Sequence, residues 1–158
     1  MKVTVLVIGR PSSLLAGAIA EYERRAARYW PLEVVEVREA KAHKGLPLER
    51  VREAESARLL ERVPGGAEVV ALTRGGESWS STRLAKYLEG LALSGRAGAA
   101  FVIGGAYGLS DELLARAGQR LSLSAMTMPH ELARLVLAEQ LYRAGTISRG
   151  GPYHKAID

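Results

Sequence analysis

Tyr153, His154 and Lys155 set an aromatic ring, an imidazole and a cation side by side, directly after Gly150, Gly151 and Pro152. A ring can stack on a nucleobase, an imidazole can move a proton near neutral pH, and a cation can meet a phosphate. The same triplet near a chain end also reads as a frayed terminus. A second set of residues suits the holding of a polar ligand. Residues 72–79 (L-T-R-G-G-E-S-W), 104–110 (G-G-A-Y-G-L-S) and 123–129 (L-S-A-M-T-M-P) are rich in glycine or small side chains. Each follows an apolar run that reads as a strand, and open α/β sheets hold ligands beyond the carboxyl ends of their strands. Glycine lets a backbone approach a ligand closely. After the third loop, Pro129 and His130 open a helix whose free N–H groups suit an anionic or polar group. Thr127 stands where it could cap that helix. An ordinary strand–loop–helix connection would look much the same.

The elements that must position these loops alternate along the chain. Residues 3–8 form an apolar, β-branched run typical of a buried parallel strand. Ser12 and Ser13 cap a helix reaching about Tyr29, and Pro31 stops it. Residues 32–37 alternate apolar and acidic side chains, which places this strand nearer an edge. Residues 38–47 form a loop carrying Arg38, Lys41, His43 and Lys44, which could meet RNA or simply face solvent. Residues 48–63 are expected to form an amphipathic helix with Val51, Ala54, Leu59, Leu60 and Val63 inward. Strands follow at 68–72 and 99–103, with a loop at 73–79 and a helix capped by Ser80 or Ser81 between them. A short helix at 111–117, a last strand at 121–124 and a helix at 130–144 complete the chain. That final helix carries Leu132, Leu135, Val136, Leu137, Leu141 and Tyr142 on more than one face, so it packs on two surfaces and points to a homodimer. The alternation of strand and helix over residues 1–158 argues for a single α/β domain, its mostly parallel sheet flanked by helices.

Composition narrows the function classes. With 158 residues, 47% hydrophobic and 25% charged, the chain can bury a real core. No apolar run is long enough to span a bilayer and no secretory leader is evident, so the expectation is a cytoplasmic protein. Without cysteine there is no disulfide framework, thiolate metal site or cysteine nucleophile. His43, His130 and His154 are too scattered to suggest a metal site, and none is expected. A net charge of +5 and a pI near 9.7 favour an anionic partner, nucleic acid first, although many basic proteins are merely soluble. A dinucleotide site is disfavoured. Ala106 stands where G-x-G-x-x-G needs its second glycine, and the cluster follows the fourth strand instead of the first.

Four stretches together resemble the RlmH family of SPOUT-class methyltransferases. They are I-G-G-x-x-G-L-S at 103–110, S-L-S-A-M-T-M-P-H at 122–130, A-E-Q-L-Y-R-A at 138–144 and P-Y-H-K at 152–155. Arg52, Glu53, Ala54 and Glu55 also match a basic-acidic-x-acidic stretch in that family's second helix, and the similarity covers essentially the whole chain. The resemblance implies an α/β fold with a C-terminal trefoil knot, S-adenosyl-L-methionine bound in the knot, and a homodimer. It further implies methylation of N3 of a pseudouridine in large-subunit ribosomal RNA, on assembled ribosomes. Pattern reasoning alone would reject a knot. Carried over residue by residue, cofactor contacts fall on Leu72, Gly104, Leu123, Ser124, Ala125, Met126, Thr127 and Met128. These belong to the same three strand ends reached from the residues themselves. The family commonly has Asp after Leu72, where this chain has Thr73. An imide nitrogen is a poor nucleophile while protonated, so His154 and Tyr153 are the candidates to take the proton, with Arg143 or Lys155 stabilising the developing anion. His130 is read as a structural helix start. A nucleotide-binding enzyme of another kind and a ribosome-binding protein without catalysis stay open.

Overall fold

In a computed structural model that describes residues 1–41 and 45–154, strands and helices alternate. The order is β1 (Lys2–Ile8), α1 (Ser13–Ala26), β2 (Leu32–Val37), α2 (Leu48–Glu61), β3 (Ala67–Ser78), α3 (Ser81–Leu93), β4 (Gly98–Ile103), α4 (Asp111–Arg116), β5 (Gln119–Ser122) and α5 (His130–Ser148). The five strands form one sheet in the order β2-β1-β4-β3-β5, every pair parallel. As the apolar runs require, β1 and β4 lie inside the sheet and are buried at nearly every residue. The alternating strand β2 lies at an edge, as its acidic positions demand.

Strand periodicity divides the core in two. Val3, Val5 and Val7 of β1 join Phe101, Leu88, Leu137 and Leu141 in a layer under α1, α3 and α5. Leu6 and Ile8 face the other way, with Val102, Leu59 and Leu113 under α2 and α4. The helix α5 runs between α1 and α3 against the sheet, and Trp30 Nε1 donates to the Leu141 carbonyl at 2.8 Å. Much of the apolar surface on α5 is therefore consumed within the chain, which explains why its pattern covers more than one face.

Several expected boundaries move. The strand expected at 68–72 runs on to Ser78, through residues assigned to a loop. After pairing with Leu121 at Leu72, β3 bulges outward and returns to pair the same residue through Glu77. Gly76 permits this return, because a Cβ there would lie 2.6 Å from the Arg120 carbonyl. The last strand occupies Gln119–Ser122 instead of 121–124. Serine hydroxyls end it: Ser122 Oγ donates to the Ser124 carbonyl, and Ser124 Oγ accepts from the Met126 N–H. Thr127 does not cap α5, since Pro129 occupies the cap position without a side-chain bond. Ser12 likewise sits at the cap of α1 without bonding it, because its N–H and hydroxyl both donate to Glu131 on α5. In α2 the buried side chains are Val51, Glu55, Ser56 and Leu59, so Ala54, Leu60 and Val63 are less enclosed than expected. The helices α1 and α2 end earlier than expected, and α5 continues to Ser148. Among the described residues no helix is long and apolar enough to cross a membrane.

One buried ion-pair group fastens α5 to the rest. Arg134, 7% exposed, donates to both oxygens of Glu23 at 2.8 and 3.0 Å and to Glu36 at 2.6 Å. Arg134→Ala would leave two carboxylates facing an empty space. The expected loss is about 3 kcal/mol, at the low end for a buried pair because Glu36 is a third exposed. Denaturant unfolding reads this directly; a loss below about 1 kcal/mol would mean the group behaves as a surface pair.

Candidate functional site

The three segments expected to bind a ligand meet in the structure: the bulge inside β3 and the loops at the carboxyl ends of β4 and β5. They enclose a cleft of about 770 Å³, a size that suits a small-molecule cofactor. Leu72, Thr73 and Gly75 form one side, the run from Gly104 to Leu109 a second, and Leu123, Ser124, Met126, Thr127 and Met128 a third. The serine-bonded turn at residues 122–126 shapes the third wall and leaves Met126 78% exposed at its rim. In the second wall the Gly108 N–H donates to the Gly105 carbonyl at 3.0 Å. Gly104 must lack a side chain, because a Cβ would come within 2.9 Å of the Gly108 carbonyl group. All the residues carried over as cofactor contacts line this cleft except Ala125, which the serine turn carries past it.

Sequence reasoning missed part of the lining. Arg52 reaches in from α2 and Arg74 from the bulge in β3, giving the cleft two guanidinium groups. The Nε of Arg52 is buried without a hydrogen-bond partner among the described residues. His130, read as structural, lines the cleft as well, and its Nε2 is buried and unpartnered among the described residues. The signal available for Arg52 was its place in the family-like R-E-A-E stretch. For His130 it was the position at a helix start beside the third loop.

The structure places the catalytic candidates elsewhere. Arg143 and His154 line a separate cavity of about 680 Å³ with Trp79, Ser81 and Gln140, and Leu123 borders both cavities. The His154 Nδ1 is buried without a partner among the described residues. Tyr153 is not loose, as a frayed tail would be. Its ring packs on Tyr142 at 4.4 Å between centroids, the Arg143 guanidinium lies 4.9 Å from its ring centre, and its hydroxyl donates to Glu139 at 3.0 Å. Burial pushes the Tyr153 hydroxyl well above its ordinary range, with Tyr22 and Glu139 adding to the shift, so it stays protonated. Arg143 donates to the same Glu139 oxygen at 2.6 and 3.0 Å. Lys155, His43 and Lys44 lie outside the described residues.

Comparison with known proteins places the chain in a family. The family described as "Predicted SPOUT methyltransferase" matches residues 1–154. A protein of Gemmatimonas aurantiaca named ribosomal RNA large subunit methyltransferase H is 53% identical over 98% of this chain and 100% of its own length. Its namesake in Clostridioides difficile is 40% identical over 98% of this chain and 100% of its own. Among solved structures, a probable methylase family protein from Haemophilus influenzae Rd KW20 superposes with a TM-score of 0.52 at 11% identity, over 99% of this chain and 70% of that one. At that identity the likeness speaks for the fold alone. The match across residues 1–154, with relatives alike over their full length, establishes that the chain belongs to the SPOUT methyltransferase family.

Proposed function

We propose that this protein transfers the methyl group of S-adenosyl-L-methionine to large-subunit ribosomal RNA, acting as a cytoplasmic homodimer on assembled ribosomes. The observation that carries this reading is the convergence of the β3 bulge and the loops after β4 and β5 on one cleft, in a chain whose full-length relatives are named ribosomal RNA large subunit methyltransferase H. The acceptor that the family resemblance specifies is N3 of a pseudouridine.

S-adenosylmethionine supplies the methyl group as an electrophilic sulfonium. The chain has to hold donor and acceptor in line, exclude water and take the imide proton. In this reading Leu72, Gly104, Leu123, Ser124, Met126, Thr127 and Met128 hold the cofactor, with Ala125 supporting the turn. Arg52 and Arg74 offer phosphate contacts at the mouth. His154 accepts the proton, Arg143 stabilises the developing anion, and Tyr153, which keeps its own proton, positions Arg143 through their shared partner Glu139.

His154 and the cofactor loops line different cavities of one subunit, which supports a site completed by the tail of a second copy. Calorimetric titration is expected to give saturable binding of S-adenosylmethionine and none of a nicotinamide dinucleotide, while light scattering gives twice the subunit mass. Binding of the dinucleotide alone would favour a different nucleotide enzyme, and a monomer at micromolar concentration would remove the shared site.

A further inference from the structure

A smaller cavity of about 340 Å³ adjoins the cleft and shares Gly105, Ala106, Tyr107 and His130 with it. It lies beyond β1 and β4, where the sheet order turns back: β1 leads outward to β2, while β4 leads toward β3 and β5. Open α/β sheets hold ligands at such a switch point. Glu39, Lys41 and Glu55 complete the wall.

Glu55 is 4% exposed. Its Oε2 accepts from the Ala40 N–H at 3.1 Å, but its Oε1 is buried with no partner among the described residues. That oxygen faces the second wall of the cleft, 3.0 Å from where a Cβ on Gly105 would stand. His130 Nε2, also unpartnered, lies on the Gly9 side with Glu39. Burial pushes the Glu55 carboxyl above the ordinary carboxylate range, and Glu39 adds to it. An enclosed carboxyl oxygen without a donor is costly to fold around, and a cationic N–H donor would satisfy it. The surrounding charges have the pattern of an α-amino acid's complement: carboxylates for an ammonium and a lysine for a carboxylate.

We propose that this side cavity receives the amino-acid end of S-adenosylmethionine, with Glu55 accepting from its ammonium group and Lys41 facing its carboxylate. The proposal rests on reading the adjoining cleft as the cofactor site, with the adenosine among the three loops. Gly105, Ala106 and Tyr107, common to both cavities, would then run alongside the sulfur.

Two product-like ligands separate the parts. S-adenosylhomocysteine keeps the amino-acid end, and 5′-methylthioadenosine lacks it. Titration of the wild-type protein is expected to show tighter binding of S-adenosylhomocysteine. Glu55→Gln, nearly the same shape, should weaken S-adenosylhomocysteine by about ten- to a hundredfold and leave methylthioadenosine unchanged. Lys41→Ala, at an exposed position, should weaken S-adenosylhomocysteine several-fold at low salt and spare methylthioadenosine. Retained methylthioadenosine binding also reports that each variant is folded. Unchanged S-adenosylhomocysteine affinity in Glu55→Gln would overturn the proposal, including the case in which only methyl transfer is lost and Glu55 serves the RNA. Equal weakening of both ligands would overturn it too, by assigning Glu55 a structural role. If the wild type bound neither ligand, the reading of the cleft itself would fall, and this proposal with it.

Discussion

Gly104→Val is expected to lower affinity for S-adenosylmethionine by about a hundredfold or more, roughly 2.7 kcal/mol, while the sheet stays folded. The reason lies in the backbone. Gly104 follows directly on β4, and even a Cβ there would meet the Gly108 carbonyl at 2.9 Å and Leu109 Cδ2 at 3.0 Å. Backbone cannot yield as a flexible side-chain tip would, so the turn joined by the Gly105–Gly108 bond must open. That turn is one wall of the cleft, whereas the buried cores on both faces of the sheet, apart from Leu109, draw on other residues. Calorimetry would measure the affinity and circular dichroism the fold. Wild-type affinity in a folded variant would remove the second loop from the cofactor site.

His154→Ala is expected to lower turnover about a hundredfold or more with cofactor affinity within about twofold, since general-base loss acts on the chemical step. A point substitution tests this better than truncation. Removing the residues after Gly151 would also strip the Tyr153 ring from Tyr142 and its bond from Glu139. The shared-site reading adds a sharper expectation. In a mixed dimer of Gly104→Val and His154→Ala chains, one site inherits both defects and the other has intact loops and an intact tail. Roughly half the wild-type rate should return from two nearly inactive parents. A mixed dimer as inactive as its parents would mean that each subunit uses its own tail.

Much of this was legible in the residues because burial writes itself into periodicity. The apolar runs of β1 and β4 and the alternation of β2 predicted their places in the sheet, and β2 was bounded to the residue. The glycine-bearing segment 73–79 and the glycine and small-residue loops after β4 and β5 predicted the cleft, although the first proved to be a bulge inside β3. What stayed hidden depends on contacts between distant segments. The extension of β3 to Ser78 is set by a second register with β5, which no local pattern encodes. Glu55 is not among the residues expected inward on α2, yet helix packing and the Ala40 N–H bury it. Ser12 looks like a helix cap and instead holds Glu131, more than a hundred residues away. The trefoil knot comes with SPOUT family membership, and no periodicity could have supplied it.

The central claim is tested most directly by incubating purified protein with large-subunit-containing ribosomes that lack the modification and S-adenosylmethionine labelled in its methyl group. The label is expected in large-subunit RNA, approaching one methyl per ribosome, and nuclease digestion with mass analysis should find it on a pseudouridine. Gly104→Val protein should leave the RNA unlabelled. Ribosomes that bind the wild-type protein yet carry no more label than that control would contradict the account.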